Sequence, residues 1–213
     1  MGELPHLIYV PAGQEGGKSA PLILFLHGSG ERGSELERVK LWSPFLYLDE
    51  GHSLPAFLVA PQCPLDVRWG NLLDALDRLL DDLLRQYPVD ADRVLLAGFS
   101  MGGFGVWQWA QRGPERFAAL MPVAGNGFKL RDYGISRDFR SLKDTPIWMI
   151  HGAQDQTIPV SGADEFHQAL RECGAHFGYT RYPHAGHPRT AELAYTDSAH
   201  YDWLLAQKRQ GKP

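Results

Sequence analysis

Short apolar runs alternate with helically spaced apolar residues from one end of this chain to the other. Leu7-Ile8-Tyr9-Val10, Pro21-Leu22-Ile23-Leu24-Phe25-Leu26 and Ala56-Phe57-Leu58-Val59-Ala60 are brief and continuous, as strands buried on both faces are. Pro61 is expected to stop the third of them. Residues 71–86 read differently, with leucines at 72, 73, 76, 79, 80, 83 and 84. That spacing matches one face of a helix, with acids and Arg78 on the other face and Pro88 marking its end. Arg93-Val94-Leu95-Leu96-Ala97 is the next strand, followed by a helical stretch opening near Ser100. Further strands are expected at 118–123, 147–150 and 177–182, and helices at 161–172 and near 198–208. Asp197 or Ser198 is expected to cap the last helix, with Lys208 and Arg209 at the negative end of its dipole. Such alternation predicts an α/β fold: a mostly parallel central sheet with helices on both faces.

Length and composition narrow the picture. The 213 residues suffice for one domain with a full core, so residues 1–213 are expected to form a single α/β domain without a large cap. Hydrophobic residues make up 44% and charged residues 22%, with a formal net charge of −4. This balance offers no long-range attraction for nucleic acid or an anionic membrane. No apolar run reaches membrane-spanning length, and Met1-Gly2-Glu3-Leu4-Pro5-His6 lacks the pattern of an export signal. A cytoplasmic location is therefore expected. Cys63 and Cys173 are far apart and are expected to be free buried thiols.

The chemistry concentrates at turns that follow strands. Gly98-Phe99-Ser100-Met101-Gly102 fits G-x-S-x-G at a strand end and a helix start, the context in which this pattern exposes a nucleophilic serine on a strained turn. A serine hydroxyl needs a base, an orienting acid and donors for the developing oxyanion. In the chain order Ser, acid, His, the acid is expected at Asp155, just past the 147–150 strand. Asp132, Asp138 and Asp144, in the irregular stretch 125–144, are weaker candidates. The base is expected at His187, in a tight loop between Gly186 and Pro188, with His184 as its rival. His184 and His187 lack a third ligand at useful spacing, so neither a metal nor another cofactor is expected. One oxyanion donor is expected from the N–H of Met101. The second should come from His27-Gly28-Ser29-Gly30-Glu31-Arg32-Gly33, with Ser29 first and Gly30 next. That loop lacks the Lys-Ser/Thr of a phosphate loop. Gly28 and Gly30 would let the backbone approach a substrate. Trp69 is expected on the pocket wall, because it stands in a loop after a strand; Trp42, Phe45 and Phe104 could line a pocket or pack in the core.

With these residues placed, the chain resembles the α/β-hydrolase superfamily, and within it the compact phospholipase/carboxylesterase or peptidase-like esterases related to dienelactone hydrolases. The resemblance rests on residues 26–33, Ala60-Pro61-Gln62-Cys63-Pro64 with Arg68-Trp69, residues 98–103, and the terminal Asp202-Trp203-Leu204-Leu205. It implies a Ser100, Asp155 and His187 triad acting on carboxylic esters. Pro188-Arg189-Thr190 depart from the family's habit of an aromatic residue shortly after the histidine.

The expected activity is two-step acyl transfer on small-molecule esters with short or soluble acyl groups, by a monomer or homodimer. A thioesterase or lysophospholipase acting on longer chains is the alternative within enzymes; a peptidase would need an added domain to confine peptides. A non-catalytic binding module on the same scaffold is the alternative outside them.

Overall fold

The computed structural model describes residues 4–13, 17–126, 134–136 and 138–209. Strands β1 (His6–Tyr9), β2 (Ala20–Leu26), β3 (Phe57–Pro61), β4 (Val89–Phe99), β5 (Ala119–Val123), β6 (Ile147–Gly152) and β7 (Phe177–Tyr182) form one sheet in the order β1-β3-β2-β4-β5-β6-β7. Among the described residues only the β1–β3 pairing is antiparallel. Pro61 ends β3 from within, opposite His6 on the edge strand, where a missing N–H is tolerated. β4 starts earlier than the apolar run suggests, because Val89 pairs with Ala20 before a register shift.

Alternate residues of the strands feed two apolar layers. Leu22, Leu24, Leu96 and Met149 point into one with helices α2 (Leu73–Gln86), α3 (Met101–Arg112) and α4 (Val160–Glu172). Ile23, Phe25, Leu95 and Ile150 point into the other with α1 (Phe45–Asp49), α5 (His187–Thr196) and α6 (Ser198–Ala206). Burial on both faces is why the strands read as continuous apolar runs. Asp197 caps α6 by accepting a hydrogen bond from the Ala199 N–H at 2.9 Å. α5 is an addition to the expected elements. His187 and Pro188 open it, and the absent N–H of Pro188 costs nothing in a first turn. Its Ala191, Ala194 and Tyr195 are fully buried on the sheet.

The chain runs from β2 to β3 on one side and then returns to add β4 on the other. Such a reversal of strand order, here at the carboxyl ends of β2 and β4, is where ligands bind in open α/β sheets. Close backbone approach fixes that end. A Cβ on Gly102 would lie 1.7 Å from the Leu26 carbonyl oxygen, so α3 starts in direct contact with the end of β2. The loop after β2 is braced by His27, which is fully buried. Its Nε2 accepts the Cys63 N–H at 2.9 Å, and its Nδ1 lies 2.6 Å from the Gly28 carbonyl oxygen, to which it donates. Burial pushes the His27 pKa down to about 4, with the nearby Arg32 acting in the same direction. Both cysteines are free; Cys63 is buried and Cys173 half-buried.

Gly102→Ala is expected to destabilise the fold by ~3 kcal/mol or more, since the Leu26 backbone cannot yield to a methyl group. Denaturant unfolding checks this; an unchanged midpoint contradicts it. A second expectation concerns acid. Because His27 is held below its ordinary value of 6.5, its contribution is complete above pH 6.5 and is lost as the pH falls toward 4. The loss amounts to about 3 kcal/mol at most. His27→Gln should flatten that part of the stability profile, while a slope identical to the wild type would refute the assignment.

Candidate active site

Ser100 occupies the turn between β4 and α3 with φ 54° and ψ −116°, a region that L residues rarely adopt. Two backbone hydrogen bonds hold it there: the Ser100 N–H donates to Val123 at 2.9 Å, and the Phe104 N–H donates to the Ser100 carbonyl at 3.1 Å. The turn thrusts the hydroxyl out of the sheet edge. His187 Nε2 lies 2.8 Å from Ser100 Oγ, and His187 Nδ1 lies 2.6 Å from Asp155 Oδ2. The structure thus brings the three expected side chains into one continuous hydrogen-bonded line.

The acid's position follows from its loop. Asp155 is buried, and its Oδ1 accepts the N–H groups of Thr157 and Ile158 at 2.9 and 2.8 Å, which leaves Oδ2 for the histidine. Burial opposes its ionised form, but the His187 hydrogen bond, the Ile158 N–H and the charges of His187 and His151 outweigh it. Its pKa falls below the ordinary value. His151, fully buried, approaches the same Oδ2 at 3.5 Å while bonding the Ile158 carbonyl at 2.9 Å. Backbone bonds from Ala153 to Tyr182 and from Gln154 to Ala185, at 2.8 and 3.0 Å, stitch the acid's loop to the histidine's. His187 is the first residue of α5, not a loop residue, and packs beside the Phe99 ring at 4.8 Å. His184 is exposed. Asp138 pairs with Arg140 at the surface, Asp144 is exposed, and Asp132 lies outside the described residues.

The loop after β2 forms a short 3-10 turn, Ser29–Glu31. Its carbonyls are all engaged: Arg32 bonds Ser29 O at 3.1 Å, Arg38 bonds Gly30 O at 2.8 Å, and Gln62 bonds Glu31 O at 2.9 Å. In such a turn the N–H groups point toward its N-terminal end, here Gly28. Gly28 abuts Ser100: a Cβ on Gly28 would lie 3.5 Å from Ser100 Cβ. Ser29 and Gly30 are exposed, and Met101, buried, starts α3 on the other side.

Trp69 departs from expectation. It is fully buried, and its indole N–H donates to the His27 carbonyl at 2.9 Å. It braces the loop after β2 from inside the core and offers no wall to an open pocket. Phe104 is likewise buried. Two residues at the site escaped the sequence reading. His151 stands four residues before the acid, the same spacing that separates His27 from Glu31, yet only burial shows that it faces Asp155. Glu31 is an isolated acid in a glycine-rich loop, and it too is buried.

Known proteins resemble this chain. The chain is 26% identical over 202 residues to an acyl-protein thioesterase 1 of Neurospora crassa, covering 80% of this chain and 81% of that protein. It is 24% identical over 173 residues to a bifunctional acetylxylan esterase/xylanase of Neocallimastix patriciarum, covering 78% of this chain and 24% of that protein. The crystal structure of a thermostable esterase superposes with a TM-score of 0.83 at 28% identity, over 97% of this chain and 60% of that one. The chain spans well under half the length of several curated relatives that it matches. The phospholipase/carboxylesterase family model matches residues 69–193, from the loop before α2 through most of α5. With more than half of its length matched, the chain belongs to the phospholipase/carboxylesterase family of α/β-hydrolases.

Proposed function

We propose that this chain hydrolyses carboxylic esters by acyl transfer through Ser100. The observation that carries the reading is the unbroken line from hydroxyl to imidazole to carboxylate, with contacts of 2.8 and 2.6 Å. Ser100 Oγ attacks the ester carbonyl as His187 Nε2 takes its proton. Asp155 holds the other imidazole nitrogen protonated and stabilises the cation that forms. The N–H groups of Met101, at the start of α3, and of Ser29, with Gly30 beside it, serve the oxyanion; the Ser29 and Gly30 carbonyls are engaged by Arg32 and Arg38. The alcohol leaves with the proton from His187, and a water repeats the sequence on the acyl-enzyme.

The preferred substrates are esters of short or soluble acyl groups. Likeness over four fifths of the chain to an acyl-protein thioesterase supports a second reading, hydrolysis of thioesters of longer acyl chains. Both readings use the same nucleophile.

Ser100→Ala should lower kcat on p-nitrophenyl acetate by about 10⁴- to 10⁶-fold while leaving the fold intact. Near-normal turnover by that variant would overturn the proposal. A chain-length series of p-nitrophenyl esters, run beside the matching thioesters, separates the two readings. An optimum at short chains supports the first, and an optimum at ten carbons or more on thioesters supports the second.

A further inference from the structure

His151 takes no step in the mechanism above, yet its imidazole is fully buried in a strand otherwise made of apolar residues and glycine. Side chains alternate along β6, so His151 shares the face of Met149 and points toward α3 and α4, away from the layer that takes Ile150. A polar ring is tolerated there only if its nitrogens are matched. Both are, and the partners fix the position of its proton. The Trp107 indole N–H, on α3, can only donate; it bonds Asn126 Oδ1 at 3.1 Å and so sets the orientation of that buried amide. Asn126 Nδ2 consequently faces the Ile150 carbonyl and His151 Nδ1 as a donor, each at 3.4 Å. His151 Nδ1 therefore accepts, and the ring proton lies on Nε2. That N–H donates to the Ile158 carbonyl at 2.9 Å, with Asp155 Oδ2 3.5 Å from the same nitrogen. Burial lowers the His151 pKa against the opposing pull of the Ile158 carbonyl and the Asp155 charge, which suits a neutral ring with one N–H.

We infer that His151 is a positioning residue for Asp155, its Nε2–H clamping the turn that aims the carboxylate at His187. The clamp acts through Ile158. His151 holds the Ile158 carbonyl while the Ile158 N–H donates to Asp155 Oδ1 at 2.8 Å, so the backbone of one residue is gripped from both sides. With Oδ1 bound into that turn, Oδ2 is the oxygen at 2.6 Å from His187 Nδ1. The positive end of the His151 N–H also faces Oδ2, at a separation too long for a full hydrogen bond. Behind the clamp, Asn126 and Trp107 connect it to α3, the helix that starts directly after Ser100. Nucleophile and acid are thereby referred to one frame of buried polar contacts. His151 is out of reach of any substrate, so its effect is on the geometry of the acid–histidine pair, and thus on kcat more than on substrate binding.

This role for His151 rests on the proposed roles of Ser100, Asp155 and His187, and one set of variants separates the two. Hydrolysis of p-nitrophenyl acetate by His151→Leu, His151→Gln and His151→Asn is compared with the wild type and with Ser100→Ala. His151→Leu fills the space but donates nothing, and should lower kcat about 10- to 100-fold with KM within about threefold. His151→Gln can set an amide N–H where Nε2 stands, and should recover most of that loss. His151→Asn carries the same amide one methylene short of the Ile158 carbonyl and should remain as slow as His151→Leu. It takes the place of His151→Leu in the comparison if the latter does not fold. A kcat within about twofold of the wild type in the variants lacking the donor would overturn the inference. So would a loss carried by KM, or a His151→Gln as slow as His151→Asn, since a general disturbance of the core predicts the latter. Normal turnover by Ser100→Ala would remove the reaction on which this role depends. An inactive Ser100→Ala beside a fully active His151→Leu would leave that reaction standing and reject His151 alone.

Discussion

The backbone at Ser100 sits at φ 54°, and the rest of the site is arranged around keeping it there. Such a conformation costs on the order of 1–3 kcal/mol and persists only when its surroundings allow no alternative. Here those surroundings are the contact between Gly102 and the end of β2, the bond from Ser100 N–H to β5, and the start of α3 immediately after the turn. The first two reach different strands, β2 and β5, and the third is a helix packed on the sheet. The orientation of Ser100 is therefore a property of the assembled sheet and not of the five residues of the turn.

The same economy governs the histidine and the acid. Asp155 has one oxygen saturated by backbone N–H groups and the other left for an imidazole, so its direction is set before any substrate arrives. Its loop and the loop entering α5 are joined directly by backbone bonds. Polar groups around the loop after β2 follow a third version of this logic. His27, Trp69, Gln62, Arg32 and Arg38 occupy backbone carbonyls of that loop and so brace it.

Much of this was legible in the sequence because burial on two faces leaves an unmistakable trace. The strands at 20–26, 57–61 and 119–123 are continuous apolar runs, and the turn around Ser100 carries glycines where backbones touch. Asp155 and His187 were legible by order, each following its strand. What escaped did so for physical reasons. Helix α5 begins with a histidine and a proline, and its buried face is built from a threonine, two alanines and a tyrosine, too weak a pattern to stand out. Trp69 carries no periodic partner to show that it is buried, and its hydrogen bond to His27 spans 42 residues. Glu31 is a residue type ordinarily found in solvent, and only the folded loop turns it inward. Val89–Asp92 extend β4 ahead of its apolar run, where Val89 pairs with Ala20 before a register shift.

The central claim is that the strained turn and the acid–histidine pair make one serine hydroxyl uniquely reactive. Treatment of the folded protein with a fluorophosphonate probe, followed by peptide mapping, tests it most directly. The account predicts one equivalent of label per chain, on Ser100, with activity lost in proportion. Label on another residue, or an active enzyme in which Ser100 stays unmodified, would contradict it.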